Sequence, residues 1–270
     1  MGGWTQMIGI IGGSGLYDPA MLTEIREDLV HTPFGDIHPL RGLYQGREVA
    51  FVPRHGKGHT VPPHLVNYRA IIWALKSLGA VRVMATAAVG SLRRQMKPGD
   101  AVIIDQFLDF TKSRPVTFFL GGLDGVVHLD YTEPYCGEVR RILLAAAGEA
   151  GLTVHDGGCY ACMEGPRFET PAEIKMLDRL GGDVVGMTTV PEVVLAKEAG
   201  LCYGTVAIVT NYAAGLAGQP ISHQEVLDLM DANAERLKKL FGLALGNLQD
   251  ERVCLCGSGP ALPNRGGEGG

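Results

Sequence analysis

Two short segments carry side chains suited to binding an oxyanion. Arg54 and His55 follow an apolar run, and an arginine can hold an oxyanion through two parallel hydrogen bonds while a histidine adds a donor. Ser14 lies between glycines after the first apolar run, where its hydroxyl can act together with backbone N–H groups. These residues indicate an anion site, although a tight turn at Ser14 or a solvated loop at Arg54 stays open.

A third segment, 187–192, places hydroxyl groups at the start of an expected helix. Thr188 and Thr189 precede Pro191, a residue favoured in the first turn of a helix. Helix N-termini bind phosphate through their N–H groups, and threonines there equally serve as helix caps. Both interpretations fit the residues.

Two further segments offer groups that could recognise a flat heterocycle. Phe168 stands beside Glu169, so a ring that stacks on the aromatic could donate its N–H groups to the carboxylate. Asn211 ends a very apolar run and offers both a donor and an acceptor. The alternatives are a helix cap at Glu169, before Pro171, and a side-chain turn at Asn211.

Histidine and cysteine spacing does not favour a metal site. His55, His59 and His64 are separated by glycines and prolines that prevent a helical pair of ligands. Cys159 and Cys162 would face opposite sides of a continuing strand. We therefore expect no metal ligands.

The elements that must position these groups alternate along the chain. Apolar, β-branched runs predict strands at 7–11, 48–53, 81–86, 101–106, 153–160, 183–186 and 202–210. Helical spacing predicts helices at 64–78, 137–150, 171–180, 191–199 and 222–245, with glycines at 79, 151, 181 and 200 as stops. This pattern predicts a single α/β domain with a mixed, mostly parallel central sheet flanked by helices, whose ligand sites lie beyond the strand C-termini.

Composition excludes several classes of partner. The chain of 270 residues has a formal charge of −5 and scattered basic residues, so no basic stripe for nucleic acid is present. Its apolar runs are shorter than the roughly 18 residues of a membrane span, and its start does not resemble a signal peptide. We expect a cytoplasmic domain at residues 1–256, followed by a disordered Gly/Pro-rich tail at 257–270.

Taken together, the segments resemble one family, the trimeric purine nucleoside phosphorylases and the related methylthioadenosine phosphorylases. The resemblance runs from about Met7 to about Leu245 and rests on Gly12-Gly13-Ser14-Gly15-Leu16, Arg54-His55-Gly56, Thr86-Ala87-Ala88-Val89-Gly90-Ser91-Leu92, Glu164-Gly165-Pro166-Arg167-Phe168 and the segment from Met187 to Ala199. It implies that phosphate is held by Ser14, Arg54, His55, the backbone at Ala88 and Thr188.

The resemblance also bears on the purine and the sugar. Phe168, Glu169 and Asn211 look like the residues with which 6-oxopurine phosphorylases hold the base, whereas the two carboxylates of 6-aminopurine enzymes are absent from 211–213. Ala87 replaces a hydroxyl residue of the methylthioadenosine enzymes, which would remove one phosphate contact.

At the sugar, the resemblance implies that Met187 and His223 meet the ribose. His59, Val226 and Leu227 would line the pocket for its 5′ substituent. A surface-helix role for His223 stays open.

These similarities imply phosphorolysis of purine ribonucleosides, with Asn211, His55 and Arg54 as the catalytic groups. Inorganic phosphate would be a co-substrate, no cofactor would be needed, and the chain would self-associate as a homotrimer or a dimer of trimers. Alternatives are a methylthioadenosine phosphorylase, a nucleotide-binding dehydrogenase and a non-catalytic purine-binding module. We also hypothesise a Cys136–Cys202 disulfide, of the kind that heat-adapted cytoplasmic proteins retain. Cys254-Leu255-Cys256 could hold a strained disulfide or two free thiols.

Overall fold

A mixed sheet of eleven strands lies at the centre of the computed structural model, which describes residues 6–13, 21–216, 218 and 220–263. The strands are Met7–Gly12 (β1), Thr23–Glu27 (β2), Leu40–Tyr44 (β3), Arg47–Pro53 (β4), Ala80–Ser91 (β5), Ala101–Ile103 (β6), Gln106–Phe110 (β7), Val154–Asp156 (β8), Cys159–Met163 (β9), Val184–Gly186 (β10) and Cys202–Tyr212 (β11). The α-helices are Tyr68–Ser77 (α1), Gly137–Glu149 (α2), Pro171–Arg179 (α3), Thr189–Glu198 (α4), His223–Ala232 (α5) and Ala234–Asn247 (α6). Three short 3-10 helices lie at Pro63–Leu65, Gly122–Asp124 and Leu255–Ser258.

Strand β5 changes its neighbour along its length, and this opens a cleft. Its first half pairs in parallel with β1, up to the Ile11–Ala85 pair. Beyond the end of β1, Gly90 and Ser91 instead pair antiparallel with β10. On its other side β5 pairs in parallel with β11 throughout. Ligand sites of α/β sheets form where strand order changes, because the loops diverge there.

Both faces of the sheet are covered by helices. Alternate residues of β4 point to opposite faces, so Ala50 and Val52 join one core while Val49 and Phe51 join the other. Helices α1 and α4 pack on the first face, and α2 and α6 pack on the second. The predicted α/β architecture is therefore confirmed, with every residue of β1 buried as expected for a central strand.

Several strand boundaries differ from the sequence prediction. The predicted strand at 153–160 is two strands, β8 and β9, because Gly157 takes a positive φ of 94° and breaks the run. Strand β5 continues to Ser91, well past the predicted end at 86. Strands β2, β3 and β7 were not predicted. Strand β2, for example, is exposed and lacks an apolar pattern.

The predicted helix at 222–245 is two helices, α5 and α6, which meet at Asn233. The glycines predicted to end helices, at 79, 151, 181 and 200, all have positive φ and follow a helix. The first predicted helix starts at Tyr68 rather than at 64, because Asn67 caps it by accepting a hydrogen bond from the Ala70 N–H.

The C-terminal segment is described as far as residue 263. Leu262 packs against the first core, and residues 264–270 lie outside the described residues, so the disordered tail stays a prediction. Among the described residues, no helix combines the length and apolar character that crossing a membrane requires.

Candidate active site

A cavity of about 370 Å³ lies beside the ends of β4, β5, β10 and β11. Its volume is typical of a small-molecule site. The sequence-predicted residues that line it are Arg54, His55, His59, Ala88, Phe168, Glu169, Met187, Thr188, Asn211, His223 and Val226. Groups from Arg54 to Val226 therefore share one cavity, as expected for segments that follow the parallel strands β4, β5 and β11.

Arg54 follows β4 directly and is fixed by a buried carboxylate. Its Nε and Nη2 donate to the two carboxylate oxygens of Glu192, the second at 2.9 Å, and its Nη1 donates to the Thr86 carbonyl at 2.8 Å. The Tyr203 hydroxyl donates to the same carboxylate at 2.7 Å. Burial alone lowers the pKa of Arg54, but the charge and hydrogen bonds of Glu192 outweigh it and raise the pKa. The guanidinium is thus charged and held in one orientation.

Gly13 is packed closely against Arg54. A Cβ atom at Gly13 would lie 2.6 Å from Arg54 Nη1 and 2.8 Å from the Thr86 carbonyl oxygen, so only glycine fits there. The Gly13 N–H donates to the Thr86 hydroxyl at 2.7 Å. Ser14, the next residue and a predicted phosphate ligand, lies outside the described residues.

His55 lies next to Arg54 and is uncharged at neutral pH. Burial is the main reason that its pKa falls to about 3, and the Arg54 charge adds to the effect. Its Nδ1 lies 2.8 Å from the Val61 carbonyl oxygen, which can only accept, so Nδ1 carries the proton and Nε2 carries a lone pair. The sequence predicts a donor role for His55, whereas the hydrogen bond at Nδ1 leaves Nε2 as an acceptor.

Thr188 and Ala88 complete the expected anion-binding half of the cavity. Thr188 is buried just before α4, its hydroxyl makes no capping bond to the helix, and its N–H donates to the Tyr160 hydroxyl at 3.3 Å. Its neighbour Thr189 instead contacts the Tyr135 hydroxyl in the core at 2.9 Å. The two threonines therefore have different surroundings. The Thr188 side chain does not cap α4, so that alternative is wrong.

Glu169 lies at the other half of the cavity. It is 8% exposed, and its Oε1 is buried without a hydrogen-bond partner among the described residues. Burial raises the pKa of its carboxyl. The helix cap that sequence analysis considered for Glu169 is supplied by Thr170 and Glu173, which form a capping box. Glu169 therefore lines the cavity instead of capping α3.

Asn211 reaches the cavity through an irregularity in the sheet. The register between β11 and β5 shifts between Val209 and Asn211, and such bulges re-aim side chains near ligand sites. Its Oδ1 accepts from the Thr210 hydroxyl at 2.8 Å and its Nδ2 donates to the Tyr212 carbonyl at 2.9 Å. A Cβ atom at Gly90 would lie 3.3 Å from Asn211 Nδ2, so glycine leaves room for this amide.

Three histidine rings line one wall of the cavity in a row. The centroids of His55 and His59 are 4.4 Å apart, and those of His59 and His223 are 5.8 Å apart. Burial, followed by the charge of His223, lowers the pKa of His59. Val226 lines the cavity, but Leu227 is not among the described lining residues, because consecutive helical positions point about 100° apart.

Sequence analysis missed the residues that hold the site together. Arg114 is buried and donates to the backbone carbonyls of Met187, Val190 and Glu164 at 2.7, 2.8 and 2.7 Å. It thereby ties the loop after β9 to the loop after β10. For Glu192 the available signal was a charged residue between Pro191 and the apolar stretch 193–196; for Arg114 no local pattern indicates this role.

The fold and the cavity together define an α/β protein whose small-molecule-sized cavity is lined by a fixed arginine, Arg54, and by a buried carboxylate, Glu169. The model of the Phosphorylase superfamily matches residues 7–246, and the chain belongs to this family.

Individual relatives agree with this assignment. The chain is 58% identical to a protein from Moorella thermoacetica named probable 6-oxopurine nucleoside phosphorylase, over 92% of this chain and 96% of the relative. It is 53% identical to the 6-oxopurine nucleoside phosphorylase of Pyrococcus furiosus, over 92% and 96%. The solved structure of methylthioadenosine phosphorylase from Schistosoma mansoni in complex with adenine has a TM-score of 0.85 and 36% identity, over 90% of this chain and 91% of that chain.

Proposed function

We propose that this protein is a 6-oxopurine nucleoside phosphorylase. In this reaction the bond between C1′ of the ribose and N9 of the purine breaks, and a bond forms between C1′ and a phosphate oxygen. The bonding electrons leave with the purine, which takes up a proton to become the free base. The observation that carries the proposal is one cavity lined both by a fixed arginine, Arg54, and by a buried carboxylate, Glu169, one of whose oxygens has no hydrogen-bond partner among the described residues.

Phosphate binds at the end of the cavity near Arg54, with Ser14, Thr188, His55 and the Ala88 backbone as further contacts. Because Glu192 neutralises Arg54 and His55 is uncharged, the described side chains bring almost no net positive charge to this end. A bound phosphate dianion then keeps its negative charge available to stabilise the ribosyl cation that develops as the glycosidic bond breaks. The neutral Nε2 of His55 accepts a hydrogen bond from a phosphate that still carries a proton.

Asn211 acts on the leaving purine. Its amide pairs with O6 and N7, and the bond to N7 strengthens as negative charge grows there. Phe168 stacks on the base, while Met187 and His223 contact the ribose. Catalysis on this account is placement and electrostatic stabilisation, without a covalent enzyme intermediate.

Base selectivity follows from the hydrogen at N1. A 6-oxopurine carries a hydrogen there and donates it to Glu169, whereas adenine presents a lone pair to the same carboxylate. A buried charged group left without its partner costs about 1–3 kcal/mol or more, so mispairing at Glu169 favours inosine and guanosine strongly. The names of the Moorella and Pyrococcus relatives support this choice.

The 5′ substituent leaves a second candidate activity. His59 and His223 suit a 5′-hydroxyl, while Val226 adds an apolar surface that fits a methylthio group. Methylthioadenosine phosphorylases are among the solved relatives, so cleavage of S-methyl-5′-thioadenosine or S-methyl-5′-thioinosine is the alternative.

We also propose that the chain works in the cytoplasm as a homotrimer or a dimer of trimers. Apolar side chains at Leu120, Leu123 and Val126 are exposed in the chain as described, which supports a subunit contact around this segment. The mass of the particle in solution tests this directly, and a monomer would contradict it.

The activity is tested by measuring release of free base from four nucleosides, inosine, adenosine and their 5′-methylthio analogues, with and without phosphate. We expect release only with phosphate and faster release from the 6-oxopurines. Binding of nucleoside with no phosphate-dependent release would instead identify a purine-binding module. Faster release from the 6-amino compounds would favour the methylthioadenosine activity.

A further inference from the structure

Four cysteines from three distant parts of the chain meet in one cluster. Cys136, Cys202, Cys254 and Cys256 have sulfur atoms that all lie within 4.8 Å of one another. Cys136 and Cys202 are buried, while Cys254 and Cys256 are half-buried. All four are free thiols in this structure.

The mutual spacing suits one central ion better than two separate disulfides. Sulfur ligands about 2.3 Å from a tetrahedral zinc ion lie about 3.8 Å from each other, within the span of this cluster. A disulfide instead brings two sulfurs to about 2.05 Å and leaves the other pair apart. Here Cys202 Sγ is 3.2 Å from Cys254 Sγ and also interacts with the Cys136 thiol, so the contacts run across the cluster and are not confined to separate pairs.

The backbone around the cluster favours anionic sulfur. Cys136 is the N-cap residue of α2, a helix of 13 residues, and the N-terminus of a helix stabilises a thiolate. The Arg252 guanidinium lies beside Gly257, the residue after Cys256, close enough that a Cβ there would be 2.5 Å from Nη2. A four-thiolate zinc site carries two negative charges, and this cation offsets part of them.

The cluster is where the chain after α6 returns to the body of the fold. Arg82, whose Nη2 also binds Glu138, donates to the Glu251 carbonyl at 3.0 Å, and the Val253 N–H donates to Glu138 at 3.2 Å. Arg252 donates to the Gly200 carbonyl at 3.2 Å. These bonds bring Cys254 and Cys256 to the start of α2 and of β11. An ion there would fasten the C-terminal segment to both elements.

We propose that the four reduced thiols bind one zinc ion, which stabilises the fold and takes no part in the reaction. The four ligands release four protons when the ion binds, so affinity increases with pH. Cys202 begins β11 and Asn211 lies nine residues later on the same strand, which places the cluster roughly 30 Å from the candidate active site. From the sequence we expected no metal ligands. A zinc ion at this cluster would be independent of the proposed function.

Metal content of protein purified without oxygen, with a reductant, tests the proposal. We expect one zinc per chain in the unaltered protein and in Cys159→Ser, a control thiol outside the cluster. The double variant Cys254→Ser/Cys256→Ser should lose the ion. Removing zinc by chelation should lower Tm by roughly 5–10 °C while kcat measured well below Tm stays unchanged.

Cobalt gives an independent readout that does not rely on stability. Added Co²⁺ should give the absorption of a tetrahedral four-thiolate centre in the unaltered protein and not in the double variant. The proposal is overturned if the reduced protein takes up neither metal, or if thiol counting after anaerobic purification finds these four sulfurs as two disulfides. It is equally overturned if the double variant retains a full equivalent of zinc.

Discussion

The two halves of the cavity differ in how far the hydrogen bonds of their charged side chains are satisfied within the protein. At the anion half, Arg54 already has hydrogen-bond partners in Glu192 and Thr86, and its orientation is fixed before any ligand arrives. At the base half, Glu169 has a buried oxygen with no partner among the described residues. A buried unpaired carboxylate oxygen is costly, so this half is completed only by a ligand that donates to it.

This difference separates two tasks within one cavity. On the proposed function, the fixed half would position a phosphate whose chemistry is the same for every substrate, and a preorganised site has no reorganisation cost at the moment of reaction. The incomplete half would discriminate between bases, because a wrong base would leave the buried Glu169 oxygen unpaired. Substitutions in the two halves should therefore change different kinetic quantities.

Asn211→Ala should give the largest effect. Its amide interacts most strongly with the departing base, so we expect kcat to fall about 10²- to 10³-fold while the Kd for inosine changes much less. Steady-state rates and equilibrium binding of inosine measure the two quantities. Asn247→Ala, at an exposed end of α6, is the control, and an unchanged kcat in Asn211→Ala would remove Asn211 from the reaction.

Arg54→Lys should weaken phosphate use about 10²-fold. Lysine keeps the charge but has no planar fork, so it cannot keep both bonds to Glu192 and still orient a donor toward phosphate. We expect kcat/KM for phosphate to fall while the ratio of inosine to adenosine turnover stays constant. Exposed Arg179→Lys is the matched control. A changed base ratio would show that the two halves are not independent.

Glu169→Gln, unlike Arg54→Lys, should reduce the preference for inosine over adenosine. A neutral amide can donate to N1 of adenine or accept from N1 of hypoxanthine, so we expect the inosine-to-adenosine ratio of kcat/KM to fall about 10- to 100-fold. The KM for phosphate should remain close to that of the unaltered protein. Glu149→Gln, on the exposed surface of α2, serves as control, and an unmoved ratio would contradict the assignment of Glu169.

The smallest expected effect concerns the free energy of unfolding and its dependence on pH, to which His55 contributes. Burial lowers its pKa to about 3, whereas an unfolded histidine titrates near about 6.5. Between these values the unfolded chain binds a proton that the folded chain does not, so stability decreases as pH falls through this window. Lowering the pH from 6 to 5 should cost about 1 kcal/mol through His55 alone.

Urea unfolding of His55→Gln at the two pH values checks this contribution. The variant should lose about 1 kcal/mol less than the unaltered protein between pH 6 and 5. His31→Gln, at an exposed histidine, should keep the original dependence. Identical pH dependence in His55→Gln and the unaltered protein would place the titration elsewhere.

The sequence predicted the cavity better than the framework around it. Arg54, His55 and Asn211 could be placed because each follows an apolar run, and the C-terminal ends of parallel strands share one edge. The bond between Arg54 and Glu192 joins residues 138 positions apart, and no local pattern encodes such a partner. Likewise, Asn233 interrupts the pattern of a single long helix because the two helices pack on different surroundings, which only the tertiary structure determines.

Strand β5 illustrates the same limit. The predicted strand ends at 86, where small residues follow, yet 87–91 continue the sheet because β11 pairs with β5 to its end. Small residues are needed there since Gly90 must accommodate the Asn211 amide. A run of small residues after an apolar segment can therefore belong to a strand that lines a cavity.

The central claim is that one cavity holds an anion at Arg54 and a 6-oxopurine at Glu169. A crystal structure with inosine and sulfate tests it most directly. The account predicts sulfate within hydrogen-bond distance of Arg54 and Thr188, with N1 of the base bonded to the Glu169 carboxylate. Sulfate and nucleoside bound in separate cavities, or a base whose N1 faces away from Glu169, would contradict it.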